Sequence, residues 1–482
     1  MPEIITLSFS QVANQLTTHF NNFQEDRLFK NPENLNNFTH IIPKSTYNNS
    51  KTISNLYPRS ILYDYSNGTG ALDPHVYFEK QNSNNKYTLE GISNFEKIQI
   101  TPQISLNSYQ EAINDNSELE ISNIDNERTD YWSDFTRLTY NPSNVLKHPQ
   151  YNYNPESNDG IDKNLLSNKF KNHQLGIDSF HNIEIFNNSV DDNIRKLFEE
   201  SNNVSHMNIV LELDSAWSGI CSETIKYTID EQFNGKGSKI VLWSLQRDSK
   251  HLLNNTNFEK LDRIRKFISL NEFNIGGFIS LNLDLNLSHI KNKNSLWEKT
   301  AFQSIPFDFF NSIKNDDISN LLFQLTDDGQ RKFINEIRLS YNDEILNLGC
   351  NDIFTNIKQK SNKINHVFSR ITVANDGFDK LDNFSDFDSL IKNGTMKNFT
   401  QNLKSNYSFN YIDTLPSEFK TAKISAASLG ITNSIRDSFT DMYDFVSRYC
   451  KTDEREEFKD TLDNFRESYT FGFEPSDEEN DD

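Results

Sequence analysis

The stretch of this chain best placed for chemistry is Asp214-Ser215-Ala216-Trp217-Ser218-Gly219. It follows the apolar run Ile209-Val210-Leu211 and precedes a segment carrying Ile225, Ile229 and Phe233, so it reads as a loop between a buried strand and a helix. In nucleotide-binding α/β domains such a loop faces the phosphates. Glycine is favoured there because backbone amides must approach the anion closely. Here Gly219 is the loop's only glycine, Trp217 adds a large indole, and Asp214 adds a charge that repels phosphate. Asp214 has a second reading, as a side-chain cap on the following helix. Cys221, near the start of that helix, sits where a thiol pKa can fall, but without a local His or Asn partner it reads as a packing residue. Histidines such as His19, His181, His206, His251, His289 and His366 show no HxxxH or HxxE spacing on an evident helix, so spacing gives no metal site.

Such residues need a frame, and the apolar pattern supplies one. Ile4-Ile5-Thr6-Leu7 is a short β-branched strand, and after the loop from Ser8 to Gln11 the residues Val12, Leu16, Phe20 and Phe23 recur at helical spacing. Ser60-Ile61-Leu62-Tyr63-Asp64 is a second buried strand with its turn at Ser66-Asn67-Gly68-Thr69-Gly70. Val190, Ile194, Leu197 and Phe198 line a helix. Ile209-Val210-Leu211 and Ile240-Val241-Leu242 are strands joined through a helix, which implies a parallel crossover. Phe278 to Leu285 and Val367 to Val373 alternate like strands. Two amphipathic helices close the chain, one lined by Ile435, Phe439, Met442, Tyr443 and Val446, the other by Phe458, Leu462, Phe465 and Tyr469. Residues 81–126 are polar and weakly periodic, and read as a loop-rich insertion.

Bulk properties narrow the function classes. The chain has 482 residues, too many for one ordinary core. Its net charge of −21 opposes direct nucleic-acid binding, because an acidic surface repels phosphate and gains nothing from counterion release. The same charge disfavours docking on anionic lipid. Cys221, Cys350 and Cys450 are far apart and odd in number, with no disulfide or metal spacing, which suits a reducing compartment. The opening residues lack a basic, apolar leader pattern, and no apolar run reaches membrane-spanning length, so a soluble intracellular protein without a presequence is expected.

The opening MPEIITLSFSQVANQL resembles the start of tubulin, with Gln11, Asn14 and Gln15 on the tubulin pattern. Tyr57-Pro58-Arg59-Ser60-Ile61-Leu62-Tyr63-Asp64 is similar to a second tubulin segment, and Gly430-Ile431-Thr432-Asn433-Ser434-Ile435-Arg436 to a third. A narrower resemblance is to the Misato family of tubulin-like proteins. Asp130-Tyr131-Trp132-Ser133-Asp134-Phe135, Tyr140-Asn141-Pro142-Ser143 and the Asp214–Gly219 loop fall on its patterns. The resemblance implies a tubulin-like fold and an association with mitochondrial distribution, morphology and mitochondrial DNA inheritance. It also implies positions for GTP and Mg²⁺: Ser10, Gln11, Ser215, Ser218 and Gly219 around the nucleotide, and Asp64 beside the metal. On the residues alone, Asp64 reads equally as the cap of its own turn and Gln11 as a helix-start residue. Ser10 and Ala13 stand where tubulin has glycine, and no catalytic residue carries over.

The expectation is an α/β protein. A tubulin-like, Rossmann-type domain spans 1–255, a mixed α/β domain 256–420, C-terminal helices 421–471 and an acidic tail 472–482. The expected role is a non-enzymatic or degenerate-GTPase scaffold for partitioning mitochondria and their DNA, peripheral on mitochondria and also cytoplasmic. Its expected partners are mitochondrial or cytoskeletal proteins. The alternative is an active GTP-binding switch or a polymerising tubulin-like GTPase.

Overall fold

Runs of apolar residues buried on both faces build a central parallel sheet, as expected when helices cover each side. In the computed structural model the described residues are 3–30, 40–48, 51–71, 104–115, 129–138, 140–156, 170–247, 255–313, 318–342, 344–350, 353–354, 366–375 and 396–471. The strands are β1 (Glu3–Phe9), β2 (Ile41–Asn48), β3 (Lys51–Pro58), β4 (Ser60–Ser66), β5 (Val145–Asn152), β6 (Val204–Glu212), β7 (Ile240–Gln246), β8 (Gly277–Asn282) and β9 (Phe333–Ile334). All but the β2–β3 hairpin form one seven-stranded sheet in the order β5-β4-β1-β6-β7-β8-β9, with every neighbouring pair parallel. β1 therefore lies mid-sheet, with β4 and β6 on either side.

The helices of this layer are α1 (Gln11–Lys30), α2 (Ser108–Asp115), α3 (His173–Asn182), α4 (Glu184–Asn187), α5 (Arg195–Glu199), α6 (Trp217–Glu231), α7 (Asn257–Asn271), α8 (Leu296–Asn311) and α9 (Ile318–Leu325). The helix expected around Val190 begins as a π-helical turn, Val190–Ile194, that runs into α5. One sheet face carries α1 and α8: Trp243 of β7 packs against Phe307 at 4.9 Å, and Phe20 of α1 against the same ring at 4.8 Å. On the opposite face Phe278 of β8 stacks on Phe267 of α7 at 5.4 Å.

A second, mixed sheet comprises β10 (Glu336–Tyr341), β11 (Glu344–Asn347), β12 (Val367–Ala374), β13 (Met396–Lys404) and β14 (Ile424–Thr432), in the order β11-β10-β14-β12-β13. The closing helices are α10 (Arg436–Tyr449) and α11 (Arg455–Ser468). The architecture is α/β, a tubulin-like parallel layer with a mixed α/β layer and C-terminal helices.

The expected divisions shift in two places. The boundary at 255 falls inside the first sheet, because β8 pairs parallel with β7 from Val241↔Gly277 to Gln246↔Asn282, and β9 extends it. The boundary at 421 cuts ahead of β14, the central strand of the second sheet, so 421–471 holds more than helices. Of the expected insertion, residues 104–115 carry α2, whose Tyr109 packs on Phe135 at 5.4 Å. Residues 81–103, 116–126 and the acidic tail 472–482 lie outside the described residues.

Segment 129–138 ties the layers together. Asn22 of α1 donates to Phe135 O at 2.8 Å and to Thr414 Oγ1 at 3.2 Å, while Arg137 pairs with Glu25 at 2.7 Å and Asp413 at 2.6 Å. The indole of Trp297, at the start of α8, donates to Thr414 O at 3.1 Å.

Candidate functional site

In a parallel sheet, residues paired across strands share a face. Phe9 of β1 is in register with Tyr63 of β4 and Leu211 of β6, so the next residues, Asp64, Ser10 and Glu212, stand side by side at the C-terminal ends. This is where open α/β sheets bind ligands. Ser10 makes the strand-to-helix turn with φ of 113°, in the left-handed region that favours glycine. Its hydroxyl accepts from the Ala13 amide at 3.2 Å, starting α1.

Asp64 is fully buried. Its Oδ1 accepts from Gln11 Nε2 at 2.8 Å and from the Tyr65 amide at 2.7 Å. Its Oδ2 accepts from Gln11 Nε2 at 2.9 Å and from the Trp132 indole N–H at 2.7 Å. Gln11 also donates to Gly68 O at 2.7 Å. Burial pushes the Asp64 carboxyl up to about 6, against the pull of Trp132, Tyr65 N, Gln11 and the charge of Lys147. Gly68 is required by this packing, since a Cβ there would lie 2.4 Å from both Asp64 oxygens and from Gln11 Nε2. Gln11 thus ties Asp64 to the turn through Gly68 O, while the Gly68 amide donates to Tyr65 O at 3.1 Å and the helix start is capped by Ser10.

On the other side of Ser10 stands the Glu212 carboxyl. Burial pushes its pKa up, with Arg247 opposing. The loop that follows is committed to internal contacts. Asp214 does not cap α6: its Oδ1 pairs with Arg263 of α7, and its Oδ2 accepts from the Arg247 amide at 3.0 Å. Burial pulls that carboxyl upward, yet Arg263 and the Arg247 amide hold it below the usual carboxylate range. Ser215 Oγ donates to Glu212 O at 2.8 Å. Ser218 Oγ donates to Ser215 O at 2.9 Å and lies 3.2 Å from His173 Nδ1. The backbone amides of Ala216 and Gly219 donate to Phe170 O and Ala216 O at 3.1 and 3.0 Å.

Gly219 serves helix packing. A Cβ on it would lie 2.2 Å from His173 O, and one on Gly176 of α3 would lie 1.9 Å from Ala216 O. The two glycines let α3 and α6 touch backbone to backbone. The Trp217 indole, a large group in a loop where bare backbone would be needed, turns away into the core between Tyr65 and Phe170, both at 5.2 Å, and Phe186 at 5.9 Å. Cys221 is buried, and burial pushes its thiol well above the ordinary value, as a packing residue requires.

The fit to Mg²⁺ and GTP is poor on these observations. The Asp64 carboxylate already accepts four hydrogen bonds and has no exposed surface for a hydrated cation. Two carboxylates flank Ser10, where phosphate oxygens need donors. Of the expected positions, Ser10, Gln11 and Asp64 come together, while Ser215, Ser218 and Gly219 are turned to the loop and α3. Trp132 and Glu212 belong to the cluster and were not expected there. Trp132 stands 68 residues from Asp64, and its motif marks a resemblance without stating a role. Glu212 had a legible signal, as the last polar residue before the loop.

A seven-stranded parallel sheet covered by helices, with a mixed second sheet beside it, fits a tubulin-like domain. Residues 121–310 match the family described as a tubulin domain, and residues 2–115 match the Misato Segment II tubulin-like domain. Protein DML1 of Debaryomyces hansenii is 30% identical over 289 residues, 59% of this chain and 58% of that protein. Protein DML1 of Scheffersomyces stipitis is 30% identical over 50% of this chain and 48% of its own length. The match thus spans about half the length of these two relatives. Protein DML1 of Candida albicans is 23% identical over 99% of this chain and 100% of its own. The chain belongs to the Misato/Dml family of tubulin-like proteins.

Proposed function

We propose that this chain is a scaffold that works without nucleotide turnover, in the partitioning of mitochondria and the inheritance of mitochondrial DNA. The observation that carries the scaffold reading is the closed Asp64 cluster, in which Gln11, Tyr65 N and Trp132 use both carboxylate oxygens. The mitochondrial part rests on the resemblance to Misato proteins. The chain docks peripherally on mitochondria, and also resides in the cytoplasm, through mitochondrial or cytoskeletal proteins. Among the described residues no helix is long and apolar enough to cross a membrane. Its effect on mitochondrial DNA is indirect, since a net charge of −21 opposes contact with a polyanion.

Titration calorimetry of the purified protein with GTP and MgCl₂ tests the scaffold reading, with no heat of binding expected. Micromolar affinity abolished by Asp64→Ala would overturn it in favour of a GTP-binding switch. Imaging of the tagged protein, with mitochondrial DNA counts after its depletion, tests the organelle role. Diffuse signal and unchanged DNA retention would remove it.

A further inference from the structure

Helix α8 couples the two sheets: Phe307 packs on Trp243 of β7 at 4.9 Å, and Phe302 on Tyr341 of β10 at 5.4 Å. A buried histidine holds each end of this helix. At its first turn, His19 of α1 packs on the Trp297 ring at 3.7 Å, and His19 Nε2 donates to Trp297 O at 3.1 Å. At its last residue, His40 Nε2 donates to Asn311 O at 3.4 Å, while Asn311 Oδ1 lies 3.1 Å from His206 Nε2. A carbonyl oxygen only accepts, so Nε2 carries the hydrogen in His19 and in His40, and Nδ1 is bare. Both Nδ1 atoms are enclosed and have no hydrogen-bond partner. A proton added to either ring would therefore create a buried cation whose new N–H meets no acceptor. His206, Arg27 and Arg59 each oppose a charge on His40, and the nearby carboxylates of Asp308 and Glu3 are taken up by Arg27 and Arg59. On His19 no charged group among the described residues acts; desolvation opposes the charge and Trp297 O relieves it in part. Burial drives both imidazoles down to about 3.

We propose that His19 and His40 form an acid-sensitive catch on α8: two neutral imidazoles clasp the ends of the helix that joins the sheets, and protonation at Nδ1 loosens the grip. The fold is thereby built to hold near neutral pH and to weaken in acid. The inference goes beyond the scaffold reading and does not depend on it, since GTP binding would leave the catch untouched.

The test is urea unfolding of the full chain at pH 7 and at pH 5, beside His19→Gln, His40→Gln and the double variant. Glutamine keeps an N–H donor and does not titrate. Each folded pKa lies below the unfolded 6.5, so each histidine's contribution is complete above pH 6.5 and is lost as pH falls towards about 3. On going from pH 7 to pH 5 the wild type should lose about 20-fold more of its folding equilibrium than either single variant, and roughly 400-fold more than the double variant. Equal losses in the wild type and the double variant would overturn the proposal. Should the variants fail to fold, deuterium exchange at the imidazole C2 of the wild type decides the matter. His19 and His40 are expected to show no titration between pH 5 and pH 7.5. A midpoint near the ordinary 6.5 at either ring would also overturn the catch.

Discussion

Asp64 and Asp214 lie at the same end of one parallel sheet, at or just beyond the tips of β4 and β6 with β1 between, and solve burial in opposite ways. Asp64 is held by neutral donors and its pKa is pushed up to about 6. Asp214 faces the guanidinium of Arg263 and its pKa is held low. Strand-end position alone does not decide the electrostatics of a carboxylate; what packs over it does. In each, both carboxylate oxygens already have a partner.

The sharpest way to break this contrast is Arg263→Met. Removing the partner leaves the half-buried Asp214 carboxylate uncompensated, and a loss of about 3 kcal/mol in denaturant unfolding is expected. Asp64 offers a pH test of similar size. Its folded pKa lies above the unfolded 3.8, so its favourable contribution is complete below pH 3.8 and is lost as pH rises to about 6. That loss amounts to about 3 kcal/mol. Asp64→Asn abolishes it, so wild type and variant compared between pH 4 and 7 should diverge; parallel curves would refute the assignment. Asp214 runs the other way, its contribution declining as pH falls below the usual carboxylate range. Gln11→Met removes a donor shared by both Asp64 oxygens and is expected to cost about 2 kcal/mol. Ser218→Ala, which removes a hydroxyl from the Asp214 loop and from His173, is expected to cost about 1 kcal/mol.

Much of the first sheet was legible because its strands and helices carry local periodicity. Ile4 to Leu7, Ile209 to Leu211 and Ile240 to Leu242 are apolar runs, and Val12, Leu16 and Phe20 repeat at helical spacing. The boundary at 255 was missed because Phe278 to Leu285 alternates as a half-exposed strand would. In the fold Gly277–Leu281 is buried throughout, under α7 on one face. The site was legible only in part. Ser10, Gln11 and Asp64 were marked by pattern, but Trp132 and Arg263 reach their carboxylates across 68 and 49 residues, a distance no local spacing encodes. Trp217 was recognised as disruptive in a phosphate loop, yet the direction of its ring depends on Tyr65, Phe170 and Phe186, which come from elsewhere.

The bonds that Thr414 and Asp413 make with Asn22, Trp297 and Arg137 bear on how the protein can be dissected. Cutting the chain between the two sheets would strip hydrogen-bond partners from the core of the N-terminal piece. Fragments designed to map partner binding therefore have to keep the 410–415 turn, or supply it in trans, before a negative result from them carries meaning.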